Sequence, residues 1–331
     1  MYIHERKEWP HFTWDQPRLA DFLAETRHLQ GRLLGRMEAL GFQLREEATL
    51  QNLTQDVLKT SEIEGEALDA EQVRSSIARR LGIDIGIFTQ AARNVEGIVD
   101  MMMDATRHHN TPLTAERLFD WHAALFPTGR SGMRRITVGA WREDSGGPMQ
   151  VISGPVGRER IHFEAPGCER VEKEMIRFLN WFNSGIRMDL VMKSALAHFW
   201  FITIHPFDDG NGRIARAISD MLLAKSERST QRFYSMSSQI QRERNTYYQI
   251  LEKCQKGTLD VTTWMEWFLG CLKRAIESSE QTLEAILIKA RFWESHAGES
   301  FNDRQRAMIN RLLNVFEGKL TSSKWAKVQK C

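Results

Sequence analysis

Cysteine is scarce: Cys168, Cys254, Cys271 and Cys331 are the whole complement, and no two stand close enough to make a CxxC metal or redox pair. Four scattered thiols exclude a disulfide framework and point to a reducing compartment. Proline is thin as well, 8 in 331 residues, so little interrupts a helix. No apolar run approaches the ~20 residues that span a bilayer. The longest, Ala195 to Ile204, is broken by His198 and Thr203. Met1 to Trp14 contains no apolar h-region, so the expectation is no secretory signal, a cytoplasmic location and no membrane partner. Excess charge is missing too: 45 Lys+Arg face 43 Asp+Glu, a net +2, which gives no domain-scale footprint for nucleic acid. What remains, 42% hydrophobic and 27% charged residues, is the mix of a globular chain with a sizeable core.

Apolar residues recur with a 3.6-residue period through most of the chain, which predicts a mainly α fold. Helices are expected over 17–40, over 44–63 with Gly65 as the stop, and from an Asp69 N-cap to Leu81 with Gln72 completing a capping pair. Others are expected over 88–107, 114–125, 168–182, 190–204, 212–226 and 240–256. One or two long helices should fill 261–293, with further helices at 302–313 and from 321. Residues 136–163 break the pattern with Gly139, Gly146-Gly147-Pro148, Gly154-Pro155 and Gly157. Ile136–Trp141 and Met149–Ser153 read there as two short strands of a β-hairpin flap on a helical body.

The densest chemistry lies in His205-Pro206-Phe207-Asp208-Asp209-Gly210-Asn211-Gly212-Arg213-Ile214-Ala215-Arg216. A helix buried on most sides precedes it, Pro206 forces a turn, and a new periodic segment follows the glycines. Such a loop exposes N–H groups at the positive end of the next helix. Arg213 and Arg216, three apart, project from its first turn toward one anion, and a polyphosphate is the natural guest. Asp209 offers a hard oxygen for Mg²⁺ beside that cradle. His205 is the nearby group able to accept a proton near neutrality, and Phe207 reads as an apolar anchor. A metallohydrolase built on His198, His205 and Asp209 is a distant rival.

This segment resembles, without a mismatch, the HxFx(D/E)GNGRxxR signature of Fic (Fido) proteins, helical enzymes that typically transfer AMP from ATP to a hydroxyl side chain. The likeness covers about residues 88 to 280, a hairpin flap ahead of the motif included. It implies His205 as general base, Asp209 as Mg²⁺ ligand, Gly210, Asn211, Gly212 and Arg213 on the α- and β-phosphates, and Arg216 on the γ-phosphate. Gly212, where a phosphorylating branch tends to carry Lys, favours AMP transfer. Thr60-Ser61-Glu62-Ile63-Glu64-Gly65 fits the (S/T)xxxE(G/N) inhibitory motif of many such proteins, which implies that Glu64 pairs with Arg216 and restrains the enzyme.

The domain organisation implied is an N-terminal helical extension with the inhibitory motif over 1–85, a Fic catalytic domain over 86–295 and a C-terminal helical segment over 296–331. That last segment resembles the start of a winged helix, truncated at Cys331 before any recognition helix. The flap 136–163, with Arg134, Arg135, Arg142, Arg158 and Arg160, is expected to dock a protein substrate by strand addition. Ser237, Arg242, Tyr247 and Tyr248 fall where relatives often build the adenine pocket. The expected activity is a protein adenylyltransferase using ATP and Mg²⁺. Removal of AMP, transfer of another phosphate group, and a non-catalytic regulatory module stand as alternatives. Auto-modification and a homodimer stay open.

Overall fold

A helix with no polar side organises the chain. The computed structural model describes residues 1–313 apart from 40–41, 87, 145–146, 155–156 and 297. In it α7 (Leu190–Ile204) begins at Asp189, whose carboxylate accepts the Val191 N–H at 2.8 Å, and every residue from Val191 to Ile204 is buried. A helix of that kind needs cover all round. It is supplied by α8 (Asn211–Glu227), α6 (Cys168–Asn183) and the 34-residue α11 (Thr262–Ser295). The Trp264 indole N–H, 2.7 Å from the Ala195 carbonyl, pins α11 to α7.

Around this centre, α4 (Arg93–Arg107) and α5 (Ala115–Leu125) pack on α8, and α1 (Gln16–Glu38) lies along α11. On another side, α2 (Phe42–Ile63) packs against α3 (Ala70–Leu81) and α9 (Met236–Arg242). The helices α10 (Arg244–Gln255) and α12 (Asp303–Leu313) complete the set. No helix among the described residues is long and apolar enough to cross a membrane. The opening residues are strapped onto the body. Trp9 is buried, its indole N–H donates to Glu174 at 2.9 Å, and Thr13 forms a parallel bridge with Asp260.

α4 and α5 meet backbone to backbone, because a Cβ at Gly97 would sit 1.8 Å from the Ala124 carbonyl oxygen. Gly97→Ala must push the helices apart. We expect a cost of roughly 1–3 kcal/mol or more, read as a lowered Tm in thermal melting.

The hairpin differs from the sequence reading. β3 (Gln150–Ser153) pairs antiparallel with β4 (Arg160–Glu164), in register Val151↔Phe163 and Ser153↔Arg160, while β1 (Arg130–Ser131) and β2 (Arg134–Arg135) form a separate small ribbon. Ile136–Trp141 is not a strand. Its backbone is committed elsewhere: Thr137 N–H goes to the Asp208 carboxylate at 2.8 Å, Gly139 N–H to the His122 ring at 3.3 Å, and the following Arg142 N–H to the Pro206 carbonyl at 2.9 Å. An apolar alternation that reads as a strand is therefore a clasp on the His205–Gly210 loop.

Other boundaries move for local reasons. α4 starts at Arg93, five residues later than its periodicity suggests. Thr89 N–H is held by the Ser75 hydroxyl at 3.0 Å and Ala92 N–H by the Gln72 side chain at 2.9 Å. Gln72 therefore does not complete a capping box, though the Asp69 cap on Gln72 N–H forms at 2.8 Å. The 240–256 segment breaks at Glu243, which leaves helical geometry and pairs with Arg274. The helix expected from 321 lies outside the described residues.

Candidate active site

α7 ends at His205, which takes a left-handed conformation (φ 53°, ψ 59°) while its N–H still bonds the Phe201 carbonyl at 3.0 Å. A non-glycine residue there is uncommon, and His is among the side chains that tolerate it. The turn aims the imidazole out of the helix end. Its Nδ1–H donates to the Ile202 carbonyl at 3.2 Å, and Nε2 has no hydrogen-bond partner among the described residues. Burial pushes the ring's pKa down to about 4, so Nε2 is an unprotonated acceptor at neutral pH.

The loop between the helices is closed from inside. The Asn211 side chain donates to the Phe207 carbonyl at 2.8 Å and accepts the Phe207 N–H at 3.0 Å. The Asn211 amide is thus spent on loop geometry, and what it can offer a ligand is its backbone. Gly210 sits at φ 79°, where a Cβ would also press on the Phe126 ring at 2.9 Å. The first helical bond of α8 is Ile214 N–H to Gly210 O, which leaves the N–H groups of Asn211, Gly212 and Arg213 without a helical acceptor. Asn211→Ala strands the Phe207 amide. We expect it to cost roughly 1–3 kcal/mol in chemical denaturation.

The anion cradle already holds an anion. The Glu64 carboxylate, arriving from the turn after α2, accepts Arg216 Nη2–H at 2.7 Å and lies where a Cβ on Gly212 would be, 2.2 Å from its Oε1. Arg216 also donates to the Thr60 hydroxyl at 2.7 Å and the Thr60 carbonyl at 2.9 Å. Arg213 is taken by Glu66 at 2.8 Å and stacks its guanidinium 5.0 Å over Phe126. Both arginines are 2–3% exposed, whereas Glu64 is 28% and Glu66 47% exposed. Buried Arg216 Nη1 and Arg213 Nε have no hydrogen-bond partner among the described residues. Two guanidinium groups with spare donors, a bare helix end and a carboxylate standing in for a phosphate fit a polyphosphate guest. Asp209 points one oxygen at Gly210 N–H (2.5 Å) and receives the Ser131 hydroxyl on the other, a hard-oxygen donor suited to Mg²⁺.

Sequence reasoning missed several supports. Glu66 has the same relation to Arg213 that Glu64 has to Arg216, and its only signal is its place two residues on. Arg244 Nε–H donates to the last carbonyl of α2, Ile63 O, at 2.8 Å. Arg142, assigned to an exposed flap edge, has a side chain with 0% exposure. It braces the His205 carbonyl at 2.8 Å and also bonds Asp144 and the Pro166 carbonyl. His122 is buried against Phe207, rings 4.2 Å apart and nearly parallel.

The metallohydrolase rival does not survive. His198 is turned away, with its nitrogens on the Ser219 hydroxyl (3.0 Å) and the Tyr247 hydroxyl (2.9 Å). Of the residues suggested for an adenine pocket, Ser237 and Tyr247 are buried and Arg242 bonds Ser278, while Tyr248, under Arg244, stays partly exposed.

Three neutral histidines also tie the fold to pH. Burial lowers His122 and His205 to about 4 and His198 to about 3. Below pH ~6.5 the unfolded chain takes up protons that the folded one refuses, so stability falls as pH drops toward 4. We expect a loss on the order of a few kcal/mol between pH 7 and 5, measured by urea unfolding across that range.

Residues 112–223 match the family model for the Fic/DOC family, and residues 2–83 match a domain of unknown function, DUF4172. Among curated proteins, the chain is 25% identical over 228 residues to "Protein adenylyltransferase Fic" of Drosophila ananassae, covering 67% of this chain and 41% of that one. To the same-named protein of Drosophila yakuba it is 28% identical over 160 residues, 46% of this chain and 30% of that one. The chain therefore spans less than half the length of these relatives. Among solved structures, a Fic family protein from Desulfovibrio desulfuricans G20 superposes with a TM-score of 0.59 at 21% identity, covering 96% of this chain and 85% of that one. A Fic domain containing signaling protein from Bacteroides thetaiotaomicron VPI-5482 gives 0.58 at 19% identity, covering 78% and 97%. These likenesses show a shared fold.

Proposed function

This chain is a Fic domain protein, and we propose that it transfers AMP from MgATP to a hydroxyl side chain of a target protein and that Glu64 restrains it. The observation that carries the proposal is the Glu64 carboxylate lodged on the Gly212 end of α8 and on Arg216. The site binds an acid where a phosphate belongs, and it does so with a group that can leave.

Bound ATP would supply an electrophilic α-phosphorus and a pyrophosphate leaving group, and Asp209 would hold the Mg²⁺ that would neutralise phosphate charge. The chain's own residues do the rest. Nε2 of His205, kept unprotonated by burial and oriented by Ile202, accepts the proton of the incoming hydroxyl. Asn211, Gly212 and Arg213 N–H groups, with the Arg213 and Arg216 guanidiniums, hold the phosphates and offset the charge that builds during transfer. The new bond joins the hydroxyl oxygen to phosphorus, and the bond to pyrophosphate breaks. Arg142 and Asn211 keep the loop rigid enough for an in-line approach. The β3–β4 hairpin, with Ile152 54% and Ile161 44% exposed, is the surface on which a target segment would lie.

The test is incorporation of label from α-³²P-ATP, followed by intact-mass measurement, for the wild type and Glu64→Gly. An added AMP mass on target or on the chain itself supports the reading. An added phosphate, or no nucleotide-dependent mass change in either protein, overturns it.

A further inference from the structure

The His122 side chain grips the motif loop and the flap base at the same time. It sits on α5 with 0% exposure, face to face with Phe207 (4.2 Å, 9°) and 5.1 Å from the Phe126 ring. Its two nitrogens do opposite work. Nε2–H donates to the Asp209 carbonyl at 3.2 Å, and Nδ1 accepts the Gly139 N–H at 3.3 Å. Only the neutral Nε2–H tautomer satisfies both, since the other tautomer would set donor against donor and acceptor against acceptor.

The consequences run in two directions. On the loop side, the Asp209 carbonyl belongs to the peptide entering Gly210, so its orientation sets both the Asp209 side chain and the N–H groups that follow. On the flap side, Gly139 lies between Thr137, held by Asp208, and Arg142, held on Pro206 and His205 carbonyls. His122 thus spans the centre of a clasp whose ends are fixed by other groups. Its substitution by an apolar residue would leave a half-buried carbonyl and a half-buried N–H without their His122 partner in the same spot.

We propose that His122 is a positioning residue for the transfer reaction: it fixes the Asp209–Gly210 peptide relative to the base of the flap, so that phosphate cradle and target-binding edge keep one register. The proposal rests on the transferase reading above for its kinetic part and stands apart from it for its structural part.

Three variants separate the two bonds. Gln places its amide nitrogen near the reach of Nε2 and can keep the bond to Asp209. Asn places its amide oxygen near Nδ1 and can keep the bond to Gly139. Leu keeps volume and loses both. On a Glu64→Gln background, His122→Leu should lower kcat for AMP incorporation about tenfold or more, with the KM for ATP changed by less than about twofold. Amide exchange by mass spectrometry should speed up in peptides covering 137–141 and 207–212 for His122→Leu. His122→Gln should restore protection in 207–212, and His122→Asn in 137–141. Long-range ¹H–¹⁵N spectra of the wild type should show the His122 ring protonated on Nε2 at pH 7. A ring protonated on Nδ1, or kcat losses that follow Tm alike in all three variants, would overturn the proposal. If His122→Leu does not fold, the Gln and Asn exchange patterns and the tautomer decide. If the Glu64→Gln parent carries no label, the transferase reading fails, while tautomer and exchange still judge the clasp.

Discussion

Glu64→Gly should raise AMP incorporation at least tenfold over the wild type, with Glu64→Gln close behind. The expectation follows from where the charge lies. Arg216 is nearly fully buried and cannot be solvated, so it needs an acceptor at all times, whereas Glu64 is 28% exposed and gains less from the pair. Removing Glu64 therefore leaves a buried cation whose Thr60 bonds do not neutralise it and whose Nη1 has no hydrogen-bond partner among the described residues. A polyphosphate oxygen is the natural replacement. Discounting for solvent at the exposed side, a preference of roughly 1.4–2.7 kcal/mol follows, which is about 10- to 100-fold in the population able to hold the triphosphate correctly. Glu64→Gln keeps the size and removes the charge, so it separates neutralisation from simple opening of space above Gly212. Label incorporation measured at saturating ATP, alongside the Kd of a non-hydrolysable ATP analogue by calorimetry, checks both. Tighter analogue binding without added turnover would mean that Glu64 occupies the site but does not govern alignment. Glu66→Gln should do less than either, because Glu66 is 47% exposed and Arg213 keeps its stacking on Phe126.

The same arrangement shows which parts of a site a sequence can announce. The loop was legible because its chemistry is local: a proline, two glycines and two arginines within twelve residues can do little else together. Glu64 was legible through the spacing of a short motif, and its partner lies 152 residues away in the chain. Glu66, Arg142 and His122 were not. Each acts through a backbone group or side chain brought near only by packing, and neither type nor spacing marks them out from a surface carboxylate, a flap cation or a core histidine. The helices behaved likewise. α7 and α8 carry their own signals, apolar cover and a glycine turn, and start within a residue of where periodicity places them. Ile136–Trp141 misled because alternation reports which side chains are buried, here Ile136 and partly Val138 and Trp141, and not where the N–H groups go. The long α11 had the opposite difficulty. Its single 34-residue run is set by packing along α7 and α1, which no local pattern could tell from two shorter helices.

On the Glu64→Gly background, His205→Asn should lower turnover by about 10²–10⁴ while ATP-analogue binding changes little. Asn is the informative substitution. His205 occupies the left-handed region at φ 53°, which Asn tolerates better than Ala, and the Asn amide can still reach a nearby carbonyl as Nδ1–H reaches Ile202. What Asn lacks is a nitrogen able to accept a proton. A large loss with an unchanged Tm therefore isolates base chemistry from loop geometry, whereas His205→Ala mixes the two through backbone strain. The pH profile gives an independent check. With the pKa lowered to about 4 by burial, the imidazole is neutral through the physiological range, and the acid limb of kcat/KM should fall near pH 4–5, not near 6.5. A base of that low pKa is weak toward an alcohol in the ground state. It serves because the proton moves as the new bond to phosphorus forms, when the hydroxyl has become strongly acidic. An acid limb near 6.5 would instead place His205 in water once Glu64 withdraws. A loss below about threefold for His205→Asn would mean that the hydroxyl gives its proton to another group, and the role assigned to Nε2 would fall with it.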